Sequence, residues 1–348
     1  MIEPDYQRWD CAVFSYPSID AFLSTRRIEN GIHAISVNEY LVDFLFQKKA
    51  SENLMVVFGG AATRSDENNP PFFSGIGLAK YVNCSFMAIN DPSLYLDCQI
   101  TLAWYAGSKS LPLQSILPAV IDKVASACAS HTIMTGGSAG GFASLYYATK
   151  TSQPSIAVVY NPQTNIINYL PRSVERFAKV CFGWHEGNVE SAFRDITYDL
   201  AKYYLEEKAP TIYLQNSADY RHITTHAIPF LKAYGLDWTG TDLTARDLYL
   251  HVGYWGSGHK PPPKELITYI INQLGGAQYS TNAVGGLLQP FSRRRPCAVG
   301  LAQNLLRYCA PVVGFAQRFS RRHRWLVNLA RVAFRVISAR RVTAKMES

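Results

Sequence analysis

No stretch of 18 consecutive apolar residues occurs in the chain, so no membrane-spanning helix is expected. The first residues, "MIEPDYQRWD", lack a basic-then-apolar layout, which predicts no secretory leader. The seven cysteines are odd in number and scattered, and none pairs with a Cys or His at zinc spacing. That argues against a disulfide framework or a structural metal and favours a reduced, cytosolic compartment. Nothing in the pattern calls for a metal or another cofactor. Low complexity and internal repeats are also missing, and 48% of the residues are hydrophobic against 17% charged. Such a composition is globular, not disordered.

The charge is unevenly placed. Residues 287–348 hold thirteen Lys/Arg and one acid, a net +12, while residues 1–286 carry −4. The overall +8 is therefore a property of the tail and says nothing about the ligand of the main domain.

Along the chain, "CAVFSY", "HAISV" and "YLVDFLF" read as edge strands. From Leu54 onward, apolar β-leaning runs ("LMVVF", "CSFMAIN", "HTIMT", "SIAVVY", "TIYLQ", "DLYLHVGYW") alternate with helical patterns, the last being "PKELITYIINQL". Strands that are apolar throughout, separated by helices, predict a mostly parallel sheet covered on both faces. The resulting α/β domain covers residues 1–275, with an aromatic helical insertion at about 163–209. A Gly/Ser/Asn-rich linker at 276–292 and a basic amphipathic helical tail at 293–348 follow.

The stretch "HTIMTGGSAGGFASLYY" places Ser138 between two pairs of glycines, where a strand hands over to a helix. Gly136 to Gly140 fits G-x-S-x-G, and its strand-turn-helix context is the one in which a serine oxygen is held out at the end of a sheet. A flexible linker would have polar neighbours, and a phosphate loop would have Lys-Ser/Thr after its glycines. The sequence has neither.

A serine hydroxyl needs a base. Of eight histidines, His259 stands in the glycine loop "GSGHKPPP" after the last long strand, where chain order puts the base. His251 lies within that strand, and His222 and His226 come earlier and are expected to line the pocket. His33, His131, His185 and His323 lack a suitable loop position. Asp219, in "TIYLQNSADYRH", is the expected orienting carboxylate, with Glu206, Glu207, Asp237 and Asp242 as weaker rivals; a helix N-cap is its other reading. Oxyanion donors are expected from the Ala139 amide and from Gly60 or Ala61 in "MVVFGGAATR", and Arg64 just beyond as a binder of an anionic substrate group.

With the elbow, acid and histidine in the order Ser138, Asp219, His259 and the glycine loop upstream, the chain resembles the α/β-hydrolase superfamily over roughly residues 30–275. The resemblance implies a central sheet with helices on both faces, a small helical lid, and ester chemistry through an acyl-enzyme. Its oxyanion loop reads "FGGA" where esterases have "HGGG". More weakly, the combination is similar to bacterial serine-triad O-acetyltransferases and esterases acting on glycans, including those of accessory secretion systems. That similarity implies acyl transfer to a sugar hydroxyl. A non-catalytic protein using the fold as a binding or assembly platform is the alternative. In the lid, Tyr169, Phe177, Phe182 and Trp184 either stack on a sugar or pack a helical insertion.

In the tail, Arg321, Arg324, Arg331 and Arg335 fall on one side of a helical wheel, opposite Trp325, Leu329, Val332 and Val336. Two readings stay open: a peripheral anchor on an anionic, cytoplasmic membrane face, or a helix pair docked on protein. Nucleic acid is not an expected partner, because the basic-and-aromatic signature is poor.

Overall fold

A computed structural model describes residues 1–65, 68–204, 206–245 and 247–274. The expected linker and basic tail, 276–348, lie outside the described residues.

Ten strands form one sheet: β1 (Val13–Tyr16), β2 (Gly31–Val37), β3 (Tyr40–Gln47), β4 (Asn53–Phe58), β5 (Ser85–Ile89), β6 (His131–Gly137), β7 (Ser155–Tyr160), β8 (Thr211–Asn216), β9 (Leu243–Ala245) and β10 (Leu248–Gly253). Their spatial order is β1-β2-β3-β5-β4-β6-β7-β8-β10-β9. From β5 to β10 every neighbouring pair is parallel. Antiparallel pairing is confined to β2/β3, β3/β5 and the short edge pair β9/β10. The three N-terminal runs thus form the sheet's flank as expected. Strand β9, "LTA", was not anticipated: three half-exposed residues carry no apolar run to read.

All six residues of β4 and of β8 are buried, because helices cover both faces. Leu54, Val56 and Phe58 point to one layer, with the helices Leu113–Cys128, Ala139–Ala148 and Pro171–Phe182. Met55 and Val57 point to the other, with Ile76–Ala79 and Lys264–Leu274. The latter helix buries Leu266, Ile267, Ile270, Ile271 and Leu274, the i, i+3, i+4 spacing of one face. Each such side chain contributes roughly 1.5–3 kcal/mol of apolar burial. No helix among the described residues is long and apolar enough to cross a membrane.

The parallel strands all end on one side, so the loops after β4, β6, β7, β8 and β10 converge there. At such an edge an open α/β sheet binds its ligands.

Candidate active site

Strand β6 ends at Gly137, and Ser138 follows with φ 55° and ψ −121°, a backbone conformation that a non-glycine residue holds only under constraint. The glycines around it are dictated by space. A Cβ on Gly140 would stand 2.2 Å from the Phe58 carbonyl oxygen, and one on Gly137 would stand 2.1 Å from the Tyr160 ring. The elbow is therefore packed against the backbone of β4 on one side and against a ring from β7 on the other. The Ser138 carbonyl accepts from the amides of Gly141, Phe142 and Gln163, fixing the turn from both sides.

The loop after β4 carries the amides expected as donors. The Gly59 N–H is taken by the Tyr105 hydroxyl at 2.6 Å and that of Ala62 by the Thr101 carbonyl. Between them, the N–H groups of Gly60 and Ala61 have no bonded partner among the described residues. Gly60 lies against the elbow: a Cβ there would be 3.4 Å from the Gly137 oxygen and 3.8 Å from Ser138 Cβ. Ala139 opens the next helix, so its amide is one of the first-turn donors that the helix itself cannot satisfy. Of the expected set, Gly60 and Ala139 adjoin Ser138, and Ala61 lines a cavity together with them.

Asp219 follows β8 and is 3% exposed. It caps the short helix Tyr220–His222, as the structural reading had it, and it also binds two imidazoles. His259 Nδ1 lies 2.5 Å from one carboxylate oxygen and His222 Nδ1 3.0 Å from the other. Burial alone would raise the Asp219 carboxyl, but the hydrogen bonds from His222 and His259 outweigh it and hold it well below the usual carboxylate range. The His259 loop is tied down by two buried asparagines. Asn161, after β7, donates to the Lys260 carbonyl, and Asn216, at the end of β8, donates to those of Gly256 and Gly258.

Two of the expected substrate-binding residues are used differently. His222 is 4% exposed, stacked on His259 with ring centroids 4.0 Å apart, and bonded through Nδ1 to Asp219. Burial holds its pKa below the ordinary histidine value. It belongs to the hydrogen-bonded cluster on Asp219 and is not an open pocket wall. The Arg64 guanidinium is occupied by the carbonyls of Ile100, Leu94 and Asp97 and packs on Phe72, so it braces loops in place of awaiting an anion. Asp242, a rival for the acid, bonds His251 and the Val252 amide. The remaining histidine of the early group, His226, is fully buried and accepts from the Thr164 amide. In the segment expected as a lid, Phe177 packs with Phe182 and Phe193 in the core. Tyr169 sits edge-on to Trp104 and 6.4 Å from the His222 ring, facing the site.

Sequence reasoning missed Gln163 and the loop before it in space. Gln163 Nε2 donates to Ser138 Oγ at 2.8 Å, and Trp104 Nε1 donates to Gln163 Oε1. Trp104 and Tyr105 are consecutive left-handed residues, with φ of 56° and 55°, which bulky side chains rarely adopt. Asp91, buried, accepts from the Tyr105 amide, and Tyr147 donates to the Tyr105 carbonyl. The only sequence signal was weak: a polar "NPQT" directly after a buried strand.

Asp219, His222 and His259 bring their donor atoms within 4.8 Å of one another. The short N···O contacts are accounted for by the two Nδ1–H donors on one carboxylate, so the cluster is read as a hydrogen-bonded one.

A mostly parallel sheet with a strained serine turn after a central strand, an acid after β8 and a histidine after β10 is the α/β-hydrolase fold. No protein-family model and no curated protein matches the chain, whereas solved structures do. The capsule O-acetyltransferase of Neisseria meningitidis serogroup A is similar at 16% identity and TM-score 0.52, over 72% of this chain and 98% of that one. A histidine-to-alanine mutant of the same enzyme in complex with CoA gives 14% identity and TM-score 0.52, over 68% and 94%. The glycosylation-associated Gap123 complex of Streptococcus agalactiae gives 18% identity and TM-score 0.50, over 76% of this chain and 48% of that one. At these identities the likeness establishes the shared fold.

Proposed function

We propose that the protein is a serine acyltransferase or esterase working through an acyl-enzyme on Ser138. The observation that carries this reading is the conjunction at one sheet edge of a strained serine turn, unpaired amides beside it, and a buried carboxylate 2.5 Å from an imidazole. Asp219 accepts from His259 Nδ1–H, which leaves Nε2 as the base. As Ser138 Oγ attacks an acyl carbon, its proton passes to His259 Nε2. The carbonyl oxygen gathers the electron pair, and the amides of Ala139 and of Gly60 or Ala61 receive it. His259 then returns the proton to the leaving oxygen or sulfur. Water or a sugar hydroxyl resolves the acyl-enzyme by the reverse steps.

A cavity of about 40 Å³ adjoins the oxyanion loop, lined among others by Gly60, Ala139, Leu102 and Trp104. It has room for a few heavy atoms, which supports a short acyl group such as acetyl. The acceptor we propose is a glycan hydroxyl, by analogy of fold with the capsule O-acetyltransferase.

The test is chemical. A fluorophosphonate probe should label the wild type and leave Ser138→Ala unlabelled. Intact mass after exposure to p-nitrophenyl acetate should show one acetyl group on Ser138. Discharge only on adding a glycan marks a transferase, and rapid discharge in water an esterase. A folded wild type that takes neither label sinks the enzymatic reading and leaves a binding platform.

A further inference from the structure

The Ser138 hydroxyl has a partner with no place in the Ser-His-Asp scheme. Gln163 is fully buried, and its side-chain nitrogen sits 2.8 Å from Ser138 Oγ. Which end of the amide faces the serine follows from its neighbour. The Trp104 indole nitrogen can only donate, and it faces Gln163 Oε1. The NH₂ end must therefore face Oγ, and Gln163 cannot act as an acceptor or base toward the serine. The elbow does not need this side chain for its shape, because the Gln163 backbone amide already bonds the Ser138 carbonyl at 3.0 Å.

We propose that Gln163 is a catalytic residue, a third fixed donor to the charge that forms on and beside Ser138 Oγ; the proposal rests on the serine acyl chemistry given above. In acylation the Oγ–H bond breaks and its proton goes to His259 Nε2. The Oγ–C bond forms, and the carbonyl π pair moves onto the carbonyl oxygen. Negative charge first grows on Oγ, where the Gln163 N–H already points. In the tetrahedral intermediate Oγ and the oxyanion share one carbon, and the Gln163 N–H beside Oγ adds its field to that of the backbone amides.

Such a donor helps only if it does not have to reorganise. The same buried loop provides for that: Trp104 fixes the Gln163 amide, while its neighbour Tyr105 holds the Gly59 amide. Asp91 and Tyr147 lock that loop from behind. One strained segment thus aligns the backbone donors and the side-chain donor together.

The experiment compares wild type, Gln163→Leu and Gln163→Glu by fluorophosphonate labelling rate, by kcat and KM on p-nitrophenyl acetate, and by thermal midpoint. Gln163→Glu, compared with wild type at about pH 9 so that the buried carboxyl is ionised, keeps the shape and the acceptor for Trp104 but removes the donor. Both variants should fall in labelling rate and kcat by about 10²–10³, the cost of one oxyanion donor, with KM within about threefold. A folded variant of either kind that acylates within about threefold of wild type overturns the proposal, as does unfolding of both, which would make the role structural. Failure of wild type to label would instead remove the acyl chemistry on which the proposal rests, so the two failures are distinguishable.

Discussion

The two halves of the site are built from different materials. Around Ser138 the geometry is set by backbone: glycines at van der Waals limits, a positive φ, and amides left over where a strand ends and a helix begins. Around His259 it is set by side chains: one carboxylate shared by two imidazoles, with asparagines pinning the loop. Steric geometry fails abruptly when a single methyl is added. A hydrogen-bonded cluster should fail in degrees, according to which partner is removed.

The largest effect should therefore come from the smallest change, Gly140→Ala. The added Cβ would sit 2.2 Å from the Phe58 oxygen and 2.7 Å from the Gly59 oxygen. Both are backbone, so nothing can swing aside without moving the oxyanion loop. Overpacking of this kind costs about 3 kcal/mol or more. We expect a lowered thermal midpoint and no detectable Ser138 labelling. Gly60→Ala, with its nearest contact at 3.4 Å, should fold with a near wild-type midpoint. Equal midpoints for Gly140→Ala and wild type would mean that the elbow is not sterically set.

On the other side the effects should be graded. Asp219→Asn removes the acceptor that fixes the His259 tautomer, and kcat should fall on the order of 10⁴. His222→Phe keeps a ring stacked on His259 and leaves the Asp219–His259 bond in place, so kcat should fall by only about tenfold. Steady-state hydrolysis of p-nitrophenyl acetate measures both. If His222→Phe loses as much as Asp219→Asn while His259→Ala retains activity, the base is His222 and the assignments must be exchanged.

This contrast also explains what could be read from the sequence. The elbow was legible because sterics force glycine, and glycine is visible in a sequence. Chain order pointed to Asp219 and His259, which lie in hydrogen-bond contact, because a parallel sheet presents its loops in a fixed succession. His222 and Gln163 were not legible in their structural roles. His222 is three residues after Asp219, yet its bond to the carboxylate depends on the cap geometry of a three-residue helix. Gln163 meets Ser138 only because β7 lies beside β6, and its amide is oriented by Trp104, 59 positions away. Arg64 was misread for a similar reason: the carbonyls that occupy it come from a loop some 30 residues further on.

The smallest effect, and the one that most sharpens the contrast, concerns His226. It is fully buried beside the hydrogen-bonded cluster on Asp219, its ring 5.2 Å from that of His222, and burial is the first cause that holds its pKa down to about 3. A lowered histidine pKa in the folded state means that the unfolded chain binds the proton more readily. Its stabilising contribution is therefore complete above the ordinary value of about 6.5 and is lost as pH falls toward 3. His222, also lowered by burial, acts in the same direction. Asp43 and Asp91, pushed up by burial to about 6, act oppositely: their contribution is complete below about pH 4 and lost as pH rises through 6. The whole-protein curve mixes these, so the informative quantity is a difference. His226→Asn retains an acceptor for the Thr164 amide and cannot titrate. In urea unfolding at pH 7 the wild type should be more stable than this variant, by the packing lost. At pH 5 that margin should shrink by about 2 kcal/mol, the cost of one proton that only the unfolded wild type accepts. A margin that stays constant between pH 7 and pH 5 would show that the cluster can take a proton at His226 without opening, and that its side chains are less rigidly partnered than the backbone around Ser138.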